Sequence, residues 1–293
     1  DAFDTEANNI AIGVASLGGS VAGGEYNVAV GNYTLDALTS GDYNTAVGYD
    51  AGTDLTTGDR NVFIGNEAGK DCIGGGQNVC IGDAAGSGAL SASAGRNIAI
   101  GRNAGQSMTS TTGNTLIGYE AGRAHNYDGA AYITMVGYQA GEDQTTSSYN
   151  TGFGAFNQRA SDTEQHNTSI GYYAMHGANG GGEYNTALGS YVMSDSSQSG
   201  DYNVGVGWRA LYAATSGGTN CAVGAEAGYQ LTSGSNNTLL GTEAGRASSP
   251  ATVTTGSNNI VIGNNSITNA YVKVDWTVTS DKRDKTDVKE FNM

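Results

Sequence analysis

The chain of 293 residues has one proline, Pro250, and three cysteines, Cys72, Cys80 and Cys221. A single proline excludes collagen, which needs proline in quantity beside glycine at every third place. Three cysteines form no paired framework and no Cys-x-x-Cys occurs; Cys80 and Cys221 are read as small buried apolar residues. The three histidines, His125, His166 and His176, lack ligand spacing, so no metal and no cofactor are expected. Basic residues are few, 13 Lys and Arg against 28 Asp and Glu, for a net charge of -15. That balance disfavours nucleic acid and anionic membranes as partners. No apolar run approaches bilayer length and no signal-peptide pattern opens the chain, so membrane insertion is not expected. The chain starts at Asp1 rather than Met, so a preceding segment is expected. Gly-x-Ser-x-Gly, His-Glu-x-x-His and phosphate-binding loops are missing, and carboxylate pairs cannot be chosen from 28 acidic residues, so the chain is not read as an enzyme.

What is present is glycine, 47 residues of it, in a fixed pattern. Asn-x-x-x-Gly occurs first at Asn9–Gly13 and recurs with closing glycines at 31, 48, 65, 82, 101, 118, 137, 154, 171, 189, 207, 224, 241 and 263. Only the copy ending at Gly137 departs, with Ile133 in the Asn place. A short fixed period marks a stacked array and overrides the two-domain prior that length suggests. The repeat divides the chain into a lead-in over 1–8, the array over 9–263, a capping strand and linker over 264–279, and a distinct segment over 280–293.

Between Asn and Gly the residues are nearly all apolar or Thr. The first of the three is Ile, Val or Thr, or Cys221 once, types that favour strands. The third is Ile12, Val30, Val47, Ile64, Ile81, Ile100, Ile117, Val136, Phe153, Ile170, Leu188, Val206, Val223, Leu240 and Ile262. First and third residues of a strand share a face, and these two columns are assigned to the inside of the coil as its core. The middle column then faces outward, yet holds Ala11, Ala29, Ala46, Phe63, Cys80, Ala99, Leu116, Met135, Ala187, Ala222, Leu239 and Val261, with Gly152, Ser169 and Gly205. Apolar residues there predict a subunit interface along the whole length. The closing Gly ends each strand at a sharp turn. Ala-Gly three and four residues later, as in Ala51-Gly52 and Ala68-Gly69, reads as a tight return leg; Ala174-Met175 and Ala210-Leu211 replace it. The expected fold is all-β, a parallel β-solenoid of about fifteen coils with a ~17-residue period, roughly 70 Å long at the usual strand spacing.

The repeat Asn either forms a side-chain ladder or serves as a turn residue before the strand; the two are compatible. Acidic residues before it, Glu25, Asp42, Asp59, Glu183 and Asp201, read as a solvated face rather than a calcium site. Tyr26, Tyr43, Tyr149, Tyr184 and Tyr202 directly precede the Asn and either cover the corner of the coil, fill a groove between subunits, or stack on sugars. An exposed threonine array for binding ice is not expected, because the threonines fall in a column assigned to the interior.

After Gly263 the pattern stops. Val272, Val274, Trp276 and Val278 alternate with Lys273, Asp275, Thr277 and Thr279, a one-sided strand suited to closing the end, with Trp276 at the cap. Then follows Ser280-Asp281-Lys282-Arg283-Asp284-Lys285-Thr286-Asp287-Val288. These nine residues resemble the opening of the peptidase S74 intramolecular chaperone domain of phage tail fibres, tailspikes and endosialidases. The resemblance implies a self-cleavage dyad of Ser280 and Lys285, a Lys acting as base towards a Ser hydroxyl, operating only within the full chaperone domain. Residues 9–263 resemble the head of YadA-type trimeric adhesins, which implies a left-handed β-roll assembled as a homotrimer.

Together the two resemblances imply a structural fibre protein of a virus particle, extracellular on the virion. Its partners would be other tail or baseplate proteins and a host surface receptor, with a glycan as one candidate. The alternatives are a bacterial trimeric autotransporter adhesin head and, less favoured, a polysaccharide-degrading tailspike whose cleft would lie among the atypical loops between 155 and 200.

Overall fold

The computed structural model describes residues 8–19, 23–91, 93–160, 163–177, 180–195 and 198–271. Each Asn-x-x-x-Gly copy makes one three-residue strand, from Ile10–Ile12 through Val62–Ile64 and Thr134–Val136 to Ile260–Ile262. The fifteen strands form a single sheet in sequence order, all neighbours parallel and in register, as in Val28 with Thr45, Ala29 with Ala46 and Val30 with Val47. A second, two-stranded sheet pairs Thr111–Thr112 with Gly129–Ala130. Return legs bond coil to coil as well: Gly52 N–H donates to Ala68 C=O and Gly69 N–H to Ala85 C=O, both at 2.9 Å. The chain is therefore a parallel β-solenoid with a period near 17 residues. The strand expected over 264–279 has no counterpart in 264–271, and its alternating part, from Val272 on, lies outside the described residues.

The two faces of the sheet are the reverse of the sequence assignment. The middle column is buried within the single chain: Ala29, Ala46, Phe63, Cys80, Ala99, Leu116, Met135 and Leu239 are 0% exposed, and Ala187, Ala222 and Val261 are also buried. Only Ala11, in the first coil, is half-covered. The columns assigned to the core point outward. Ile12, Val47, Ile64, Phe153, Ile170, Leu188, Val223, Leu240 and Ile262 are exposed, and Val30, Ile81, Ile100, Ile117, Val136 and Val206 are half-exposed. A three-residue strand puts one residue on one face and two on the other. The coil is so thin that its interior admits the single one.

Interior volume is shared between that middle residue and the fourth residue after the closing Gly. Phe63, Leu116, Met135 and Leu239 face Gly69, Gly122, Gly141 and Gly245, whereas Ala29, Ala187 and Gly205 face Leu35, Met193 and Leu211. A Cβ on Gly69 would come within 2.5 Å of the Phe63 ring. A third inward column is apolar in seven of the coils: Leu38, Leu55, Cys72, Leu90, Met108, Ala214 and Leu231, all buried. Where both are small, as Ala46 with Gly52, neighbouring coils fill the space: a Cβ on Gly52 would lie 2.7 Å from the Phe63 ring and 2.9 Å from a Leu35 methyl carbon.

Two backbone positions set the corners. The closing Gly65 has φ +137°, and a Cβ there would lie 2.5 Å from the carbonyl oxygen of Gly82 in the next coil. Both the dihedral and the coil spacing therefore demand glycine. The residue before each repeat Asn (or Ile133) is left-handed in all fifteen copies, φ running from 48° to 78°, although only one of these, Gly113, is glycine. Such a conformation costs a non-glycine residue about 1–2 kcal/mol. It persists because the hydrogen bonds on either side fix it.

Those bonds are a ladder. Asn44 N–H donates to Asn27 Oδ1 at 2.9 Å, Asn61 N–H to Asn44 Oδ1 at 2.9 Å, and Asn78 N–H to Asn61 Oδ1 at 2.9 Å. The amide nitrogen reaches forward: Asn44 Nδ2 donates to Gly58 C=O and Asn61 Nδ2 to Gly75 C=O, each at 2.9 Å. At Ile133 the ladder has no side-chain rung; Ile133 N–H still donates to Asn114 Oδ1, and Asn114 Nδ2 is left buried without a partner.

The apolar interior divides in two. One cluster runs from Leu17 to Ala140, the other from Ala174 to Val261. Between them the filling is polar: Gln144, Ser147, Asn157, Gln158 and Ser169, all buried, bond among themselves, with Ser169 Oγ 2.6 Å from Asn157 Oδ1 and Gln158 Nε2 2.6 Å from Ser169 Oγ.

Candidate functional site

The largest unexplained feature is the outward sheet face. Its third-position column is entirely apolar. Its first-position column is Ile10, Val28, Thr45, Val62, Val79 and Ile98, then five consecutive threonines, Thr115, Thr134, Thr151, Thr168 and Thr186, then Val204, Cys221, Thr238 and Ile260. The two columns run side by side along fifteen strands with no charged residue between them. At ~4.8 Å per strand and ~7 Å between columns, the strip is roughly 70 Å by 10 Å, on the order of 700 Å². A typical monomer's largest apolar patch is about 300–600 Å². The threonine column thus faces solvent in the single chain, which removes the ground on which ice binding was set aside.

The corner rows are stacked coil on coil. Tyr26 lies on Tyr43 with ring centres 5.0 Å apart and planes within 3°. Tyr149, His166, Tyr184 and Tyr202 form a continuous stack at 4.7, 4.8 and 5.0 Å. Each ring inside such a stack has both faces taken, leaving its edge and polar tip to water. Sugar stacking needs a free aromatic face, which rings inside a stack lack; within the single chain the stacked tyrosines cover the corner of the coil.

The acidic residues before the Asn are not simply solvated. Asp42 Oδ1 accepts from Glu25 N–H, Asp59 Oδ1 from Asp42 N–H, and Asp201 Oδ1 from Glu183 N–H, all at 2.8 Å. These carboxylates cap backbone donors of the preceding coil, a bond stronger than a neutral one. Among the described residues no three His, Cys, Asp or Glu side chains come together as a metal-binding group.

Two burial effects bear on chemistry. Cys72 and Cys80 are buried and burial pushes both thiols up, Cys72 to about 12, which leaves them inert at neutral pH. His125 takes a place in the leucine column; it is 0% exposed, neither ring nitrogen has a partner, and burial holds its pKa down to about 4. In the coil after His125 the buried Glu142 is held between Arg123 at 2.9 Å and Arg159 at 2.6 Å, clamping successive coils. Ser280 and Lys285 lie outside the described residues.

Sequence reasoning missed the leucine column, which the recurring apolar residue seven or eight places after the closing Gly would have shown. No helix among the described residues is long and apolar enough to cross a membrane. No protein-family model matches the chain, and no curated protein matches it.

Proposed function

We propose that the chain is the repeat shaft or tip of a homotrimeric, left-handed β-roll fibre on the outside of a virus particle, with loops presented for attachment to a host cell. The observation that supports this is the uncovered apolar strip of Ile64, Ile81, Ile100, Ile117 and their neighbours. An area on the order of 700 Å² per chain is close to the ~800 Å² that each partner contributes to a standard stable interface. Its residues are those of a strand core rather than of a solvated sheet. A strip repeating at the same spacing in every coil is matched best by another copy in the same register, which favours self-assembly over an unrelated partner. Three copies and the hand come from the resemblance to adhesin heads, and the phage setting from Ser280–Val288. A shaft of this kind transmits position and carries no catalytic residues of its own. Self-cleavage by Ser280 and Lys285 would belong to the complete chaperone domain. A bacterial adhesin head would be built alike and would differ in the segments that continue the chain.

The threonine run favours one other reading, a face that orders water against ice. The column beside it carries Phe153, Ile170 and Leu188, which fit a protein partner better than a water lattice. Light scattering on the purified chain separates the two. Three copies per particle and no thermal hysteresis are expected; a stable monomer with thermal hysteresis would replace the fibre reading.

A further inference from the structure

The aromatic corner row is interrupted once by charge. Between Tyr43 and Tyr132 its rungs are Arg60, Gln77, Arg96 and Gly113. Here the surface opens into a recess of about 360 Å³, lined by these two arginines and Gln77 with Thr57, Ser93 and Thr112, over a floor of glycine backbone that includes Gly58, Gly74, Gly76 and Gly95. That volume is at the lower end of the ~300–1,000 Å³ of small-molecule sites.

The charges of the recess set it apart from the rest of the chain. The described residues contain eight Lys and Arg side chains. Six of them, Lys70, Arg102, Arg123, Arg159, Arg209 and Arg246, have a carboxylate within 4.0 Å. The two without one are Arg60 and Arg96, and both line the recess. In a chain with 28 acidic residues this is not for lack of counter-charge. Asp59 also lines the recess, with one oxygen accepting from Asp42 N–H, so the lining carries two guanidiniums against one carboxylate and is net positive.

The donors are partly arranged. Arg96 Nε donates to Gln77 Oε1 at 3.1 Å, which leaves the two terminal nitrogens of Arg96 as a free fork and turns the Gln77 amide nitrogen into an available donor. The Arg60 guanidinium lies 5.4 Å from the centre of the Tyr43 ring, held by a cation–π contact rather than by an acid. Two coils separate Arg60 from Arg96, about 10 Å along the axis. At the Arg96 end Thr112, one coil further on, donates its Oγ1 to Ser93 C=O at 3.2 Å, and Ser93 Oγ pairs with Ser91 Oγ at 2.9 Å, so neutral hydroxyls are at hand.

We infer that this recess binds a carboxylate-bearing saccharide: a planar guanidinium fork takes each carboxylate, and Gln77, Ser93 and Thr112 take sugar hydroxyls. Guanidinium matches a carboxylate with two parallel bonds, and the mixed neutral donors around it suit a polyol better than a bare ion. A long polyanion such as nucleic acid is disfavoured by the net charge of -15 on the rest of the chain. The biological setting rests on the attachment reading above, but the site is tested independently of assembly.

Titration calorimetry on the whole chain with a hyaluronan tetrasaccharide (uronate), 3′-sialyllactose (sialate), lactose and sodium acetate tests it. At least one acidic saccharide is expected to saturate one site per chain, weakening with salt, while lactose and acetate do not. Arg60→Gln with Arg96→Gln should weaken that binding by about tenfold or more, the loss of charge-assisted bonds. Arg102→Gln, which removes an exposed arginine already paired to Asp83, should leave it unchanged. All three arginines are at the surface, so unchanged circular dichroism certifies the folds. The inference is overturned if neither acidic saccharide binds, if acetate binds as well as they do, or if the double variant binds like the parent. Light scattering on the same samples reports assembly separately, so loss of the site and loss of the fibre reading are distinguishable.

Discussion

Removing one rung of the asparagine ladder should loosen two coils and leave the rest of the rod intact. In Asn44→Ala four bonds disappear: Asn44 Nδ2 to Gly58 C=O at 2.9 Å and to Asn27 Oδ1 at 3.1 Å, and Asn61 N–H and Nδ2 to Asn44 Oδ1 at 2.9 and 3.0 Å. Two of the four groups left behind keep another partner. Asn27 Oδ1 still accepts Asn44 N–H at 2.9 Å, and Asn61 Nδ2 still reaches Gly75 C=O at 2.9 Å. The Gly58 carbonyl and the Asn61 amide are left buried and unpaired. At about 1–3 kcal/mol for each orphan the loss is roughly 2–6 kcal/mol. Because a solenoid's stability is close to a sum of nearest-neighbour terms, the loss stays near the mutated coil. Hydrogen exchange followed by mass spectrometry should show protection falling about thirtyfold or more over residues 41–62, with coils beyond residue 180 unchanged. Asn44→Gly should do the same. The left-handed position belongs to Tyr43, not Asn44, so glycine has no turn to rescue. If Asn44→Gly keeps full protection while Asn44→Ala loses it, or if both stay within about threefold of the parent, the ladder is not what holds the corner.

Three further outcomes follow from the same geometry. His125→Leu should raise stability by roughly 1–3 kcal/mol in denaturant titration, since it refills the leucine column and removes two unpaired buried nitrogens. His125 should also impose a pH dependence. With its folded pKa depressed to about 4 from an unfolded value of 6.5, the unfolded state binds the extra proton, so stability is full above pH 6.5 and falls by about 3 kcal/mol towards pH 4. The leucine variant should lose that slope between pH 6.5 and 4, while any acid transition from the carboxylates below it remains. Finally, Phe63→Ala should cost about 3–5 kcal/mol in a monomeric background, where Ile64→Ala costs under ~1.5 kcal/mol; equal losses would contradict the inward assignment of the middle column.

How far the sequence could be read depends on which feature recurred. The strand positions, their parallel stacking and the closing glycines follow from Asn-x-x-x-Gly alone, because a fixed period with β-branched residues has few other solutions. The choice of face did not follow. Alternation shows that Val62 and Ile64 share a side and Phe63 the other, but an apolar residue on both sides leaves no polar marker of the outside. Here the side carrying the larger residues is the outer one. The signal that resolves it is compensation: Phe63 faces Gly69 and Gly205 faces Leu211, and only residues that share one interior need trade volume. The asparagine ladder was foreseeable as one of two roles. The recess between Arg60 and Arg96 was not, since it arises from two unpaired guanidiniums two coils apart, and pairing is a property of the folded chain.

The proposal that copies of the chain cover the outward strip is tested most directly by thiol labelling at one of its positions. Ile100→Cys places a thiol in the half-exposed outer column, next to the buried Ala99. Its maleimide reaction rate, measured at the concentration where light scattering gives the particle mass, should be slowed at least about tenfold relative to the denatured chain. Ile100→Lys should leave a folded single chain. A thiol that reacts at the denatured rate in folded protein, together with an Ile100→Lys particle of unchanged mass, would contradict it.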